Sequence, residues 1–119
     1  MKEDELKQRT KQFGLRVIKL VEALPKTSTA NTLGHQLLRS GTSVGTNYRA
    51  ACRGKSKADF IAKAGICLEE ADESSYWFEL LQEAGIFPAE RLKDLMKEAN
   101  ELVAIFTATI KTARSNLRK

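Results

Sequence analysis

Between Phe60 and Leu81 the chain places apolar or small side chains at Phe60, Ala64, Cys67, Ala71, Ser74, Phe78 and Leu81, in alternating steps of four and three. That spacing keeps about one side chain per turn on a single line and predicts an α-helix packed on other helices. A second apolar row on the same stretch, Ala62, Ile66, Trp77, Leu80 and Ala84, lies roughly a third to two-thirds of a turn away at about 100° per residue. A helix in a small solitary bundle needs one buried face. Two faces predict burial inside the chain's own bundle on one side and against another copy on the other.

The rest of the pattern predicts three more helices. The first runs from about Asp4 to Ala23, with Leu6, Phe13, Val17, Leu20 and Leu24 at helical spacing, and Pro25 stops it because proline lacks the donor a helix needs. The polar turn Lys26 to Thr29 supplies an N-cap for a second helix from about Thr29 to Arg53, with Gly54 expected in the left-handed position after it. Ser56 followed by Asp59 resembles a capping box, so the third helix starts near Lys57, and it ends near Ala84 before Gly85. Pro88 opens the fourth, whose row is Leu92, Leu95, Ala99, Leu102, Phe106, Ile110, Ala113 and Leu117, with the tail after Ser115 expected to fray. No stretch alternates with period two over a strand's length, so the fold class is all-α. Connections this short predict an antiparallel up-down-up-down four-helix bundle, a single domain over residues 1–119.

The second helix is the least generic element. Leu33, Leu37, Val44, Tyr48 and Ala51 form its core stripe, and Gly34, Gly41, Gly45 and Cys52 form a strip of small residues beside it. Each helical glycine costs about 1 kcal/mol relative to alanine, so either another helix approaches closely there or the helix bends near Ser40 to Gly45. Opposite the core stand His35, Arg39, Arg49 and Arg53, with Thr42 and Thr46 between them and no acid in the strip; Lys55 and Lys57 extend it through the turn.

Charge sharpens this picture. The net charge is +5, yet residues 25–57 carry six basic and no acidic groups while residues 58–87 carry one basic and seven acidic. Two readings follow. The basic strip meets acids of a neighbouring helix, subunit or partner protein, or it faces a polyanion such as RNA or DNA. A polyanion would be held at its phosphates without base preference, because no module that reads base edges is visible. With 42% hydrophobic and 29% charged residues the chain has enough apolar surface to fold. Nothing approaches 18 consecutive apolar residues, and the chain opens Met1-Lys2-Glu3-Asp4-Glu5 instead of with a basic and apolar export signal, so no membrane association and a cytoplasmic location are expected. Cys52 and Cys67 lack metal or redox spacing and are expected as reduced thiols in apolar rows.

Chemistry is sparse. Gly54-Lys55-Ser56 has the ending of a phosphate-binding loop, but Arg49 stands where that motif needs glycine and no strand precedes it. His35 is the only histidine, so no Glu-x-x-His metal repeat exists. The acids Glu69, Glu70, Asp72, Glu73, Glu79 and Glu83 all lie on one helix, where they form a solvated or inter-subunit face. No catalytic residue, metal site or cofactor is predicted, and the chain is not expected to be an enzyme.

The run from Gln36 to Tyr48 (Gln-Leu-Leu-Arg-Ser-Gly-Thr-Ser-Val-Gly-Thr-Asn-Tyr), followed by Arg53 and by Ser56-Lys57-Ala58-Asp59-Phe60, resembles the bacterial four-helix-bundle proteins encoded in intervening sequences of 23S ribosomal RNA genes. That family's pattern is a Gln-Leu-x-Arg-Ser block, then Ser-x-x-x-Asn, then a basic turn ending Ser-Lys-x-[Asp/Glu]-Phe. The chain departs from it at Asn47-Tyr48-Arg49-Ala50-Ala51, where many members read Asn-Ile-Ala-Glu-Gly. The resemblance implies a homopentameric barrel, and similar accessory proteins of diversity-generating retroelements bind nucleic acid and a reverse transcriptase. The expectation is therefore a homo-oligomer that binds RNA or DNA through Arg39, Arg49, Arg53, Lys55 and Lys57, or a structural module that meets a protein partner instead. Ile66, Glu73, Trp77 and Leu80, with Gly41 and Gly45, are the candidate oligomer contacts.

Overall fold

A computed structural model describes residues 1–117. They form four helices, α1 (Glu3–Glu22), α2 (Ser28–Cys52), α3 (Lys57–Glu83) and α4 (Ala89–Leu117), and no strand among the described residues. The helices pack as a rod 51 × 20 × 20 Å in which α1 lies on α2, α2 on α3 and α3 on α4, and the α1–α4 seam is the thinnest. Most of the expected core rows are buried: Leu6, Phe13, Val17, Leu20 and Leu24; Leu37, Val44, Tyr48 and Ala51; Ala64, Cys67, Ala71, Ser74, Phe78 and Leu81; Leu92, Leu95, Ala99, Leu102, Phe106 and Ile110; Leu33, Phe60 and Ala113, expected in the same rows, are half-buried. Edge-to-face aromatic pairs tie helices across the core, Phe13 with Phe78 and Tyr48 with Phe106.

The caps follow from local chemistry. Thr27 accepts a hydrogen bond from the Ala30 N–H, and Ser56 Oγ accepts one from Asp59 N–H at 3.0 Å. Only half of the expected capping box forms, because the Asp59 carboxylate turns to the Lys55 N–H at 3.2 Å and to Lys63 at 2.9 Å. The left-handed glycine is Gly85 (φ 71°), not Gly54. At Gly85 a Schellman turn closes α3: the Ile86 N–H reaches the Leu81 carbonyl and the Gly85 N–H reaches that of Gln82, both at 3.0 Å. Gly54 serves a different need, since a Cβ there would stand 2.9 Å from the Ala51 carbonyl oxygen and 3.1 Å from the Asp59 carboxylate. At the far end α4 continues as helix through Leu117, which is exposed, so the expected fraying after Ser115 is absent up to that residue, and the last two residues lie outside the described ones.

The glycines of α2 resolve in favour of close approach, and α2 is unbroken from Ser28 to Cys52. Gly41 faces Val17, where a Cβ would meet Cγ2 at 2.8 Å; Gly45 faces Thr10, and Gly34 faces Leu24 and Val21. Gly14 on α1 answers from the other side, against Gly41 and Thr42. Gly41 and Gly45 were expected among the oligomer contacts. Gly41 is buried against Val17 of α1, where a Cβ would not fit, whereas Gly45 is half-buried, meets Thr10 at ordinary contact distance and lines the open side of the α1–α2 seam.

Candidate functional site

The expected basic strip divides in two. Arg39 projects across the α2–α3 seam and is held by acids of its own chain, with Nη1 3.1 Å from Glu70 and Nη2 hydrogen-bonded to Glu73. Glu73 in turn accepts from the Trp77 indole N–H at 3.2 Å. The Arg39 guanidinium holds the Glu73 carboxyl below the usual carboxylate range, helped by the Trp77 hydrogen bond and opposed by partial burial. Immediately below, Ser40 Oγ and Ser74 Oγ lie 2.9 Å apart in a fully buried pair, and Ser74 also donates to the Glu70 carbonyl. The Arg-Ser of the Gln-Leu-x-Arg-Ser block is thus the fastening between α2 and α3.

Arg49 and Arg53 stand apart from that seam. Both are exposed and line an open groove of about 810 Å³ between α1 and α2, across from Lys7 and Lys11. No acidic residue lines it. Farther along the groove the lining turns apolar at Leu15 and Ile18, which are 45% and 36% exposed. Lys55 and Lys57 continue the cationic end through the exposed α2–α3 turn. The sequence reading missed the α1 side of this groove. Its signal is the row Lys7, Lys11, Leu15, Ile18, offset from the buried row of α1.

On α3 the second apolar row is half covered by its own chain. Trp77 packs partly against the core and Leu80 is half-buried, whereas Ile66 is 40% exposed. Tyr76, absent from the sequence reading, is the more exposed aromatic at 53% and stacks edge-on against Trp77 with centroids 5.2 Å apart. Glu69 is exposed beside this row. Across the molecule Arg9 bridges the thin α1–α4 seam through two hydrogen bonds to Glu98 and one to Glu101, each 2.8 Å. The thiols are separate: Cys67 is buried and its pKa is pushed up to about 12 by desolvation, and burial also raises that of the half-buried Cys52. Among the described residues no three His, Cys, Asp or Glu side chains converge as metal ligands, and no helix is long and apolar enough to cross a membrane.

The model of the 23S rRNA-intervening sequence protein family matches residues 2–108, nearly the whole chain. The chain belongs to this family. The family's fold is also that of a solved structure, a protein of unknown function from the S23 ribosomal protein family of Bacteroides thetaiotaomicron, which is 34% identical and superimposes with a TM-score of 0.86 over 93% of this chain and 99% of the other. A comparison with curated proteins found no match.

Proposed function

We propose that this protein is a homo-oligomeric helical bundle that binds the phosphate backbone of RNA or DNA, without base preference, through Arg49, Arg53, Lys55 and Lys57. The observation that carries the reading is the acid-free lining between α1 and α2, which continues into an exposed basic turn. Lys7 is paired with Glu3 at 3.3 Å, so the contact falls to the α2 arginines and the turn lysines, which neutralise phosphates and release counterions, and that release drives binding. Arg39 is assigned a structural part, since Glu70 and Glu73 already occupy it. The reading takes the bundle as antiparallel and up-down-up-down. Rising positions on α1 meeting falling positions on α2, Thr10 with Gly45 and Gly14 with Gly41, support that topology. The start of α1, the α2–α3 turn and the end of α4 then share one end, where Arg53, Lys55, Lys57, Lys111 and Arg114 stand beside the acids Glu3, Asp4, Glu5 and Asp59, and Lys7 is paired with Glu3. A ring, five copies by the resemblance, would repeat that end around one rim and multiply weak phosphate contacts by avidity. No catalytic step and a cytoplasmic location belong to the same reading. The family's description names a 23S rRNA sequence, which makes RNA the first ligand to test.

The test is a filter-binding titration with a single-stranded RNA at two salt concentrations. Four phosphate contacts predict affinity about 50-fold weaker on going from ~50 to ~200 mM salt. An Arg49→Glu/Arg53→Glu/Lys55→Glu variant should lose binding at low salt while keeping the helical circular dichroism of the native protein. Equal binding by that variant, or no binding by the native protein at low salt, would contradict the reading.

A further inference from the structure

Where α4 begins, the α1–α4 seam opens into a concavity of about 270 Å³ lined by Arg16 and Lys19 of α1 and by Arg91 and Asp94 of α4. Its apolar lining is Phe87, Leu20 and Leu95, all buried. Arg16, Lys19 and Arg91 are exposed, and none forms an ion pair among the described residues. The fold treats other arginines differently. On the same seam Arg9 takes Glu98 and Glu101, and between α2 and α3 Arg39 takes Glu70 and Glu73. Three cations gathered around one acid repel each other, and an anion seated among them removes that cost. Arg91 is the best prepared of the three. Its Cζ lies over the Phe87 ring, 4.5 Å from the centroid, and Phe87 is itself held in the α3–α4 turn by its N–H on the Leu81 carbonyl at 3.2 Å. Such stacking steadies a guanidinium and leaves its N–H edge for a ligand. We propose that this concavity binds the terminal phosphate of a phosphate monoester, with Arg16 and Arg91 on its oxygens and Lys19 adding charge.

Charge and size select the ligand. Three cations against Asp94 leave the lining with two positive charges in excess. A phosphate monoester carries about −1.5 to −2 near pH 7, whereas a carboxylate or a phosphodiester carries a single negative charge. The planar guanidinium also meets phosphate oxygens two at a time. The concavity abuts the first turn of α4, whose dipole adds positive potential. Leu20, Leu95 and Phe87 keep water from one side of the bound anion, which strengthens each charge contact. The volume falls just below the roughly 300–1,000 Å³ of pockets that enclose a drug-sized ligand, so the phosphate group enters and most of its carrier stays outside. This site uses none of the residues assigned to the phosphodiester backbone above, and it stands or falls separately from that reading. The same chemistry comes from free phosphate, from a mononucleotide or from the phosphorylated end of a strand.

Isothermal titration of the full chain at constant ionic strength tests the site with inorganic phosphate, adenosine monophosphate, dimethyl phosphate and adenosine. Saturable binding of the monophosphate is expected, with dimethyl phosphate clearly weaker and adenosine silent. Arg16→Gln/Arg91→Gln should weaken binding by roughly tenfold or more, as loss of charge-assisted hydrogen bonds does, with the native circular dichroism kept. Asp94→Asn removes the only acid of the lining and should tighten binding severalfold, a gain that misfolding cannot mimic. The Arg49→Glu/Arg53→Glu/Lys55→Glu variant should bind the monophosphate as the native protein does, even where it no longer binds RNA. Absence of saturable binding at millimolar phosphate and monophosphate would overturn the proposal. So would equal binding by the Arg16/Arg91 variant, an unchanged or weaker affinity in Asp94→Asn, or loss of binding in the Arg49/Arg53/Lys55 variant, which would move the site to the turn. Among supporting outcomes the ranking names the source. Inorganic phosphate as tight as the mononucleotide assigns the free anion, and a tighter mononucleotide assigns that ligand. Tighter binding by an oligonucleotide with a terminal phosphate than by its terminal-hydroxyl twin, in the Arg49/Arg53/Lys55 variant, assigns a strand end.

Discussion

Gly41 and Gly65 both sit inside helices, yet a methyl group added to each meets opposite surroundings. At Gly41 the new Cβ would lie 2.8 and 2.9 Å from the two γ-carbons of Val17, which is fully buried and stiff at χ1. At Gly65 nothing lies within 4 Å. Gly41→Ala should therefore lose about 1–3 kcal/mol by overpacking, whereas Gly65→Ala should gain about 0.5–1 kcal/mol from helix propensity and reduced unfolded-state freedom. Urea denaturation at one fixed protein concentration checks both, and a loss at Gly65 or a gain at Gly41 would contradict the packing described. The glycine strip of α2 was legible in sequence as a place of close approach. Which helix approaches was not, because a missing Cβ carries no record of the neighbour that uses the space, and a second copy served the pattern as well as α1 does.

The α2–α3 seam holds Arg39 and Ser40 against Glu70, Glu73 and Ser74. Arg39→Ala removes a half-exposed ion pair to Glu70 and Glu73, so the loss at neutral pH should be modest, about 0.5–1 kcal/mol after allowance for solvent screening. Its pH dependence is more diagnostic. Glu73 has a folded pKa below its unfolded value, so its contribution is fully present above the ordinary carboxylate range, about 4.3, and is lost as pH falls through the lowered folded value. The stability gap between native protein and Arg39→Ala should hold from pH 7 to about 5 and close below about pH 4. A gap unchanged at acid pH would mean that Arg39 acts by packing alone. Ser74→Ala should cost about 1 kcal/mol, since it removes a buried partner from Ser40, which keeps only a 3.3 Å contact to the Leu37 carbonyl. Thermal melts at equal concentration measure it. Helix bounds and core rows were legible because proline, glycine and a strict four-three spacing act locally. The partner of Arg39 was not, since the acid-free strip of α2 finds its acids about thirty positions later on α3.

At the scale of the whole molecule, two surfaces stand out: a cationic groove with an aliphatic upper half, and an α3 face with the exposed Tyr76 and Glu69. The α3 face was half legible, through Ile66, Trp77 and Leu80, although Trp77 packs partly inward and Tyr76 takes the outer position. The groove was not legible, because it forms only when α1 lies on α2 and brings Lys7 and Lys11 opposite Arg49 and Arg53. Family membership accounts for the bundle and leaves activity open, so the account stands on whether copies associate. Multi-angle light scattering of the native protein at micromolar concentration and moderate salt tests that most directly. The account predicts a discrete species at a whole multiple of the protomer mass, and a single protomer mass across that range would contradict it.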